Sequence, residues 1–569
     1  MRKTVPFLFS TLLGMSLLGG CVSTENVTDE PEKPSEKETP ILKVAIATND
    51  MTRSESSAST KAADDEVAKA ENTISKLKLA FYRGNTQVGL VDAKKIDGSK
   101  WECGVPTSND ELPDAVIAYA NLPESQELSS PLNLISQLEI NVVKNGDNFI
   151  MSSAHYFDKN NENKKVLATS LSPDNFTDNA APIQLNVERA AAKVQVLQDG
   201  FTATNLTVKN GVAVDDPGNG SVDETFTLIL QLDGWYVSGV EKSSYLVKNL
   251  SVDYAGLQNE LSGWTDFQKD LQTNWAHSKN YNISTFPNGN VGSVDGNTPY
   301  TYARFYSTEG QEKPKGFNDV VYTHETTLPK SNYIDQENSN VRKRNSLPSI
   351  VLVGTYKIEG PVNAPETFFK RGDKIYKEND YWTKMAFAQK SIFKQDGTPL
   401  SGDELKAITE LKPKAEGGTY NMVTPQLRFP KEGVAGGFIR DNYNGPDGKD
   451  LASDDELNKA LAISCGYIEA YKDGKCFFVV PVQHLGYKTT PDATGSYGLV
   501  RNHFYKISVK SIEGMGKGIA NEGDYLLESE FVNDTEYNVS FNVNVVPWTL
   551  VEQDINIPSD DSGTTKEGK

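Results

Sequence analysis

Short alternations of apolar and polar residues, bounded by glycine, proline, asparagine and aspartate, limit the fold of this chain more than any other feature. Leu42, Val44 and Ile46 share one face of 41–48, and Val539, Phe541, Val543 and Val545 share one face near the other end. A period of two places successive side chains on opposite faces of a strand. Further strands are expected over 74–82, 114–121, 138–143 and 148–153, then over 183–189, 226–232 and 245–252. Helical spacing is scarce: a short helix is expected over 129–137, and 257–275 carries apolar residues at helix-like intervals. The chain should be mainly β, with two or three short helices. Its 569 residues exceed one hydrophobic core, so two large domains, or three of ordinary size, are expected.

The alternation changes phase once. Residues 183–189 place apolar side chains on odd positions, whereas Val194 and Val196 occupy even ones, and a bulge over 190–192 would reconcile them. This segment is patterned like 41–48, so a second β-sandwich is expected to start near 185. At the far end Pro547 interrupts the run, Trp548 and Leu550 follow, and Ile555 and Ile557 close it. Proline suits an edge strand or a bulge, which makes this a terminal, exchangeable strand.

The first residues read as an export signal. Arg2 and Lys3 precede an apolar stretch from Val5 to Leu18, and Leu18-Gly19-Gly20-Cys21 has the form of a bacterial lipoprotein cleavage site. A spanning helix needs about 20 apolar residues, and this run stops short. Residues 1–20 are therefore expected to be removed and Cys21 lipidated. From 22 to 40 the chain is polar and proline-containing, too poor in apolar surface to offset the entropy of ordering, and it reads as a tether. The strand at 41–48 follows, then a polar stretch over 49–66 that contains Arg53. Exposed polar loops are where proteases cut, so Arg53 is either a processing site, with Ser54 as the new first residue, or an ordinary linker arginine.

Charge and chemistry exclude several classes. With 77 acidic and 57 basic side chains the formal charge is −20, which repels phosphate backbones and argues against nucleic acid. Cys103, Cys465 and Cys476 remain after the lipidated one, an odd number without metal-type spacing. Asp473-Gly474 reads as a hairpin turn between strands over 463–471 and 476–482, a register that opposes Cys476 to Tyr471 and predicts free thiols. The five histidines are scattered, His324-Glu325 lacks a second ligand at Leu328, and Thr494 stands where a nucleophile elbow needs glycine. Acidic loops over 215–224 and 441–456 fit no standard calcium loop and read as solvated charge. No enzyme activity, cofactor or metal is expected. The alternative binding function is a lipid-anchored glycan binder stacking sugars on Tyr443, Trp235 or Trp382, which are equally at home in a core.

Several stretches, in order, carry a family resemblance: Val187-Glu188-Arg189-Ala190-Ala191-Ala192-Lys193, Val351-Leu352-Val353-Gly354, Arg371-Gly372-Asp373, Tyr381-Trp382, the run from Gly498 through Arg501-Asn502-His503-Phe504 to Ile507, and Val543-Asn544-Val545-Val546-Pro547-Trp548. With the lipoprotein signal and removable strand, the chain resembles the type V fimbrilins of the Bacteroidales. That resemblance implies two transthyretin-like, Greek-key β-sandwiches in tandem: a lipidated propeptide over 21–53, an N-terminal domain over 54–184, a C-terminal domain with insertions over 185–538, and a donor strand with polar tail over 539–569. It implies a lipoprotein precursor of the outer membrane, cut after Arg53 by an arginine-specific protease or at Lys61 by a trypsin-like one. Loss of Leu42, Val44 and Ile46 would open a groove for the donor residues Val539, Phe541, Val543, Val545, Trp548, Leu550, Ile555 and Ile557 of another subunit. The implied product is a cell-surface fimbrium whose partners are copies of itself, other fimbrial subunits, and host or bacterial surface receptors.

Overall fold

A computed structural model describes residues 40–48 and most of 71–557. The longer stretches outside the description are 49–70, 212–224, 251–274, 283–297, 330–340, 414–421, 429–438, 485–493 and 541–548, with both termini. Cys21, Arg53, Ser54, Lys61, Phe541, Val543, Val545 and Trp548 lie there, as do the acidic loop at 215–224 and nearly all of the helix-like stretch at 257–275.

The main sheet of the first half has eight strands: β1 (Ile41–Thr48), β2 (Leu77–Arg83), β3 (Thr86–Asp97), β4 (Lys100–Gly104), β5 (Ala115–Ala120), β6 (Met151–Ser153), β7 (Ile183–Arg189) and the two-residue strand Thr169–Ser170. The strands run in the order β5-β2-β3-β4-β1-β7-β6, and β6 pairs back onto β5. The hydrogen-bonded order thus closes on itself, with the short strand 169–170 flanking β5 beside β6. Inside lie Leu79, Phe81, Trp101, Val116, Ala118, Leu185 and Val187 together with Leu42, Val44 and Ile46. The opposite face of β2 and β5 is buried too, because Ala80, Tyr82, Ile117 and Tyr119 pack under Leu122, Ile135, Ile140, Leu246 and Val247. Burial on both faces explains why these strands read as nearly unbroken apolar runs.

Beyond β7 the chain changes sheet at Ala190 and Ala191, both fully buried, with no bulge of the kind expected over 190–192 needed to shift the phase. It continues as β8 (Ala192–Leu197), then β9 (Thr225–Ser238), β10 (Val320–Thr323), β11 (Ser349–Ile358), β12 (Lys475–Pro481), β13 (His503–Ile512), β14 (Asn538–Ser540) and β15 (Thr549–Ile557). One sheet has the order β10-β8-β13-β15-β14; the other centres on β9, β11 and β12. Val194, Val196, Tyr505, Ile507 and Val509 of the first meet Leu228, Leu230, Trp235, Ile350, Leu352 and Phe478 of the second. The change of sheet accounts for the phase shift in the sequence: 183–189 serves one core and 192–197 the other.

An insertion between β11 and β12 extends the second sheet and carries helices α1 (Glu378–Ala388), α2 (Gly402–Ala407) and α3 (Asp454–Cys465) around a core of Tyr381, Trp382, Met385, Leu405, Leu457 and Leu461. The expected hairpin at Asp473-Gly474 is corrected here. Residues up to Cys465 are helical, with Ser453 and Glu456 forming a capping box. The strand 468–471 pairs with 368–371 and 422–427, whereas β12 pairs with β11. Phe477 to Val480 bury both faces of β12, so it takes a central place that a two-stranded hairpin could not supply. The three remaining cysteines are buried free thiols, as expected. The expected strands at 138–143 and 245–252 shrink to 139–140 and 244–245, and the short helix appears as a 3-10 turn over Leu132–Gln137.

Candidate assembly site

β1 is an interior stave of the closed sheet. It runs antiparallel to β4, with Leu42 opposite Cys103 and Val44 opposite Trp101, and parallel to β7, with Val44 opposite Ile183 and Ile46 opposite Leu185. Side chains directly opposite one another share a face, so Leu42, Val44 and Ile46 enter the core beside these partners and are 0, 0 and 6% exposed. The outward positions are different: Ile41 is exposed and Lys43 reaches the Asp178 carbonyl at 2.7 Å. Burial under β1 pushes the Cys103 thiol up to about 12.

Without β1, β4 and β7 would each present an unpaired ladder, and three adjacent apolar positions would empty. The covalent link from β1 to the downstream chain is the segment 49–70.

At the other end, β15 lies parallel to β13, with Phe504 opposite Leu550, Val509 opposite Ile555 and Ile512 opposite Ile557. Among the described residues β14, which contains Val539, pairs with β15 alone and forms the edge of that sheet. The described donor candidates thus sit on their own C-terminal sheet in the single chain.

The sequence stretches at 187–193 and 501–507 come together at the seam between the halves. Arg189 donates to Asn502 at 2.6 Å, the Asn502 amide to the Ala191 carbonyl at 2.7 Å, and Lys193 stands opposite Phe504 in the β8–β13 ladder. Ala190 to Ala192 allow this approach because they carry no bulk. Three ion pairs are buried nearby: Glu71–Lys193 and Glu188–Lys248 at 2.8 Å, and Glu325–Arg501 at 3.0 Å. Arg501 also donates to the Tyr245 and Leu246 carbonyls. Sequence reading missed Glu71, Lys248 and Glu325. The available signal was charge set within small or apolar runs, as at Glu188-Arg189 before three alanines.

Other candidates are dispersed. Trp235 and Trp382 are core residues and Tyr443 is half-buried, so these aromatics form no sugar platform. Arg371-Gly372-Asp373 caps an exposed hairpin between 368–371 and 374–377, with Gly372 at φ +63°. Among the described residues no group of His, Cys, Asp and Glu is placed to hold a metal, and no helix is long and apolar enough to cross a membrane. His484 and His503 stack edge-on at 5.0 Å but bond to the Tyr505 hydroxyl and the Arg501 carbonyl. His155 is buried with neither ring nitrogen hydrogen-bonded among the described residues, and burial pushes it down to about 3.

Residues 469–554 match the family model described as major fimbrial subunit protein type IV, Fimbrillin, C-terminal. Comparison with curated protein sequences gives no match. Solved structures similar to the chain include a candidate cell adhesion protein of Parabacteroides distasonis, 9% identical over 90% of this chain and 98% of that one, with a TM-score of 0.36. Another is the C-terminally truncated tip fimbrial protein Mfa3 of Porphyromonas gingivalis, 9% identical over 57% and 82%, TM-score 0.25. A third is a fimbrial assembly protein of Parabacteroides distasonis, 14% identical over 56% and 98%, TM-score 0.20.

Proposed function

We propose that this chain, which carries a fimbrillin C-terminal region over 469–554, is a structural pilin that builds a cell-surface fimbrium by donor-strand exchange. Fimbrillins are structural rather than enzymatic proteins, and a fimbrial subunit has other fimbrial subunits as its partners. The observation that carries the finer reading is β1: an interior stave paired on both edges that supplies three core side chains.

In this reading the precursor is exported, lipidated at Cys21 and held at the outer membrane. An arginine-specific or trypsin-like protease cuts after Arg53, β1 leaves, and the slot between β4 and β7 is filled by another subunit. The donor is the alternating run Val539, Phe541, Val543 and Val545, with Trp548, Leu550, Ile555 and Ile557 behind it. The donor replaces the pairing that β1 gives up: a strand in the slot bonds to β4 on one edge and β7 on the other, as β1 does, each bond contributing about 0.5–1.5 kcal/mol. Donor and slot lie on different surfaces, so the contact is heterologous and propagates as a filament. Adhesion through the fibre to host or bacterial receptors follows from its exposure. Cleaving the purified precursor with an arginine-specific protease tests the reading: it requires release of β1 and growth of denaturant-resistant oligomers, and monomers that keep β1 after the cut would refute it.

A further inference from the structure

Excision of an interior stave carries a hazard, because a cut within 49–70 frees two chain ends. One belongs to β1. The other leads through Glu71 into β2, whose Leu79 and Phe81 help line the slot. If that end frayed, the acceptor would unravel with the plug.

We propose that Glu71, Lys193, Tyr322 and Arg189 form a retention clip that holds the downstream end at the seam, so that a cut releases β1 alone. This inference rests on the strand-exchange reading. The Glu71 carboxylate accepts from Lys193 Nζ at 2.8 Å and from the Tyr322 hydroxyl at 2.5 Å, and the Glu71 carbonyl accepts from Arg189 Nε at 3.2 Å. Glu71 and Lys193 are 5 and 6% exposed, and Arg189 is buried. Lys193 Nζ also lies 4.5 Å from the Phe504 ring centroid, and Tyr322 packs edge-on against Phe149 at 4.7 Å. Lys193 and Tyr322 belong to β8 and β10, so one residue of the first half is gripped by two strands of the second, with Phe504 of β13 behind Lys193.

Asn121 supplies a second stitch a few residues on. Its Oδ1 accepts from the Ser75 amide at 2.9 Å, and its Nδ2 donates to the Thr73 and Phe149 carbonyls, each at 2.8 Å. The backbone there is left-handed, φ +59°, which asparagine tolerates better than most residues. Residues 71–76 are thus bonded to the seam and to β5 before β2 begins. None of these bonds involves β1, so they outlast its loss. A buried pair is costly to break by removing one member, because the other charge is left without compensation; that asymmetry suits a contact that must hold while its neighbour departs.

The test is hydrogen exchange by mass spectrometry on the full chain, uncut and cut after Arg53, for wild type, Glu71→Ala and Tyr322→Phe, the last removing a single hydroxyl. In wild type, cutting should leave exchange over 71–83 within about twofold. In Glu71→Ala it should accelerate at least about tenfold more after the cut than before it, with Tyr322→Phe between. Equal acceleration in the uncut variant would mean general destabilisation and overturn the clip; so would cut Glu71→Ala matching cut wild type. Retention of β1 by cut wild type is read separately from the 41–48 peptide, and would sink the strand-exchange reading while the 71–83 comparison still judges the clip.

Discussion

Truncating Leu42 to alanine should open the slot without any protease. Leu42, Val44 and Ile46 are almost wholly buried, and at about 1.5–3 kcal/mol each they hold β1 with roughly 7 kcal/mol. Ladders on both edges add roughly eight hydrogen bonds at about 1 kcal/mol. Ordering the strand's 8 residues costs about 1.5 kcal/mol each, or roughly 12. About 3 kcal/mol remains, so β1 is out in under roughly 1% of uncut molecules. Leu42→Ala removes about 2–5 kcal/mol, which brings the two states to near equality and raises the open population about a hundredfold. Cys103 reports it, since it lies opposite Leu42 and its thiol is held up to about 12 only by burial. Alkylation of Cys103, followed by peptide mass spectrometry, should accelerate by about two orders of magnitude, whereas Cys465 and Cys476, fully buried in the other half, keep the wild-type rate. Cys103 labelling within twofold of wild type, or equal acceleration at all three thiols, would show that β1 leaves only by global unfolding.

Burial raises Glu241 to about 7 from an ordinary 4.5, against the pull of Ser278 and Asn280. The folded state therefore binds more protons between those values and loses stability as pH rises through them, by up to about 1.4 kcal/mol per unit. Glu241→Gln should gain on wild type across pH 4.5–7 in urea titrations. His155, His277 and His324, held down to about 3, 4 and 4, tilt both proteins the opposite way and cancel in the difference; a flat difference curve refutes the assignment. Arg501→Met should cost about 3–5 kcal/mol by stranding Glu325, while adding Glu325→Leu restores most of it; an additive double mutant would show the pair is not coupled. Deleting 539–569 should give a secreted monomer that forms no ladder on unboiled gels, and ladders that persist would place the donor elsewhere.

Alternation made β1 readable, because Leu42, Val44 and Ile46 declare a face whatever stands beside them. It could not name the neighbours. Parallel pairing of Val44 with Ile183 joins residues far apart in sequence, and a period of two fixes which face is buried without choosing the adjacent strand. The phase change near Ala190 was visible, but its meaning, a crossing between sheets, depends on β13 arriving from 503–512 to receive β8. α2 and α3 were overlooked although Ser401-x-x-Glu404 and Ser453-x-x-Glu456 are capping boxes in plain sequence. The hairpin at Asp473-Gly474 failed for the reverse reason: the local turn signal was obeyed, with φ positive at both residues, while long-range packing sent the two strands to different partners. Buried charge was the least legible, since Glu71, Lys248 and Glu325 look like surface residues until their cations are placed.

The intact mass of protomers recovered from assembled fibres addresses the central claim most directly. A chain beginning at Ser54, lacking Leu42, Val44 and Ile46 and carrying no lipid, is the predicted result. Protomers that begin at lipidated Cys21 and still contain β1 would contradict it.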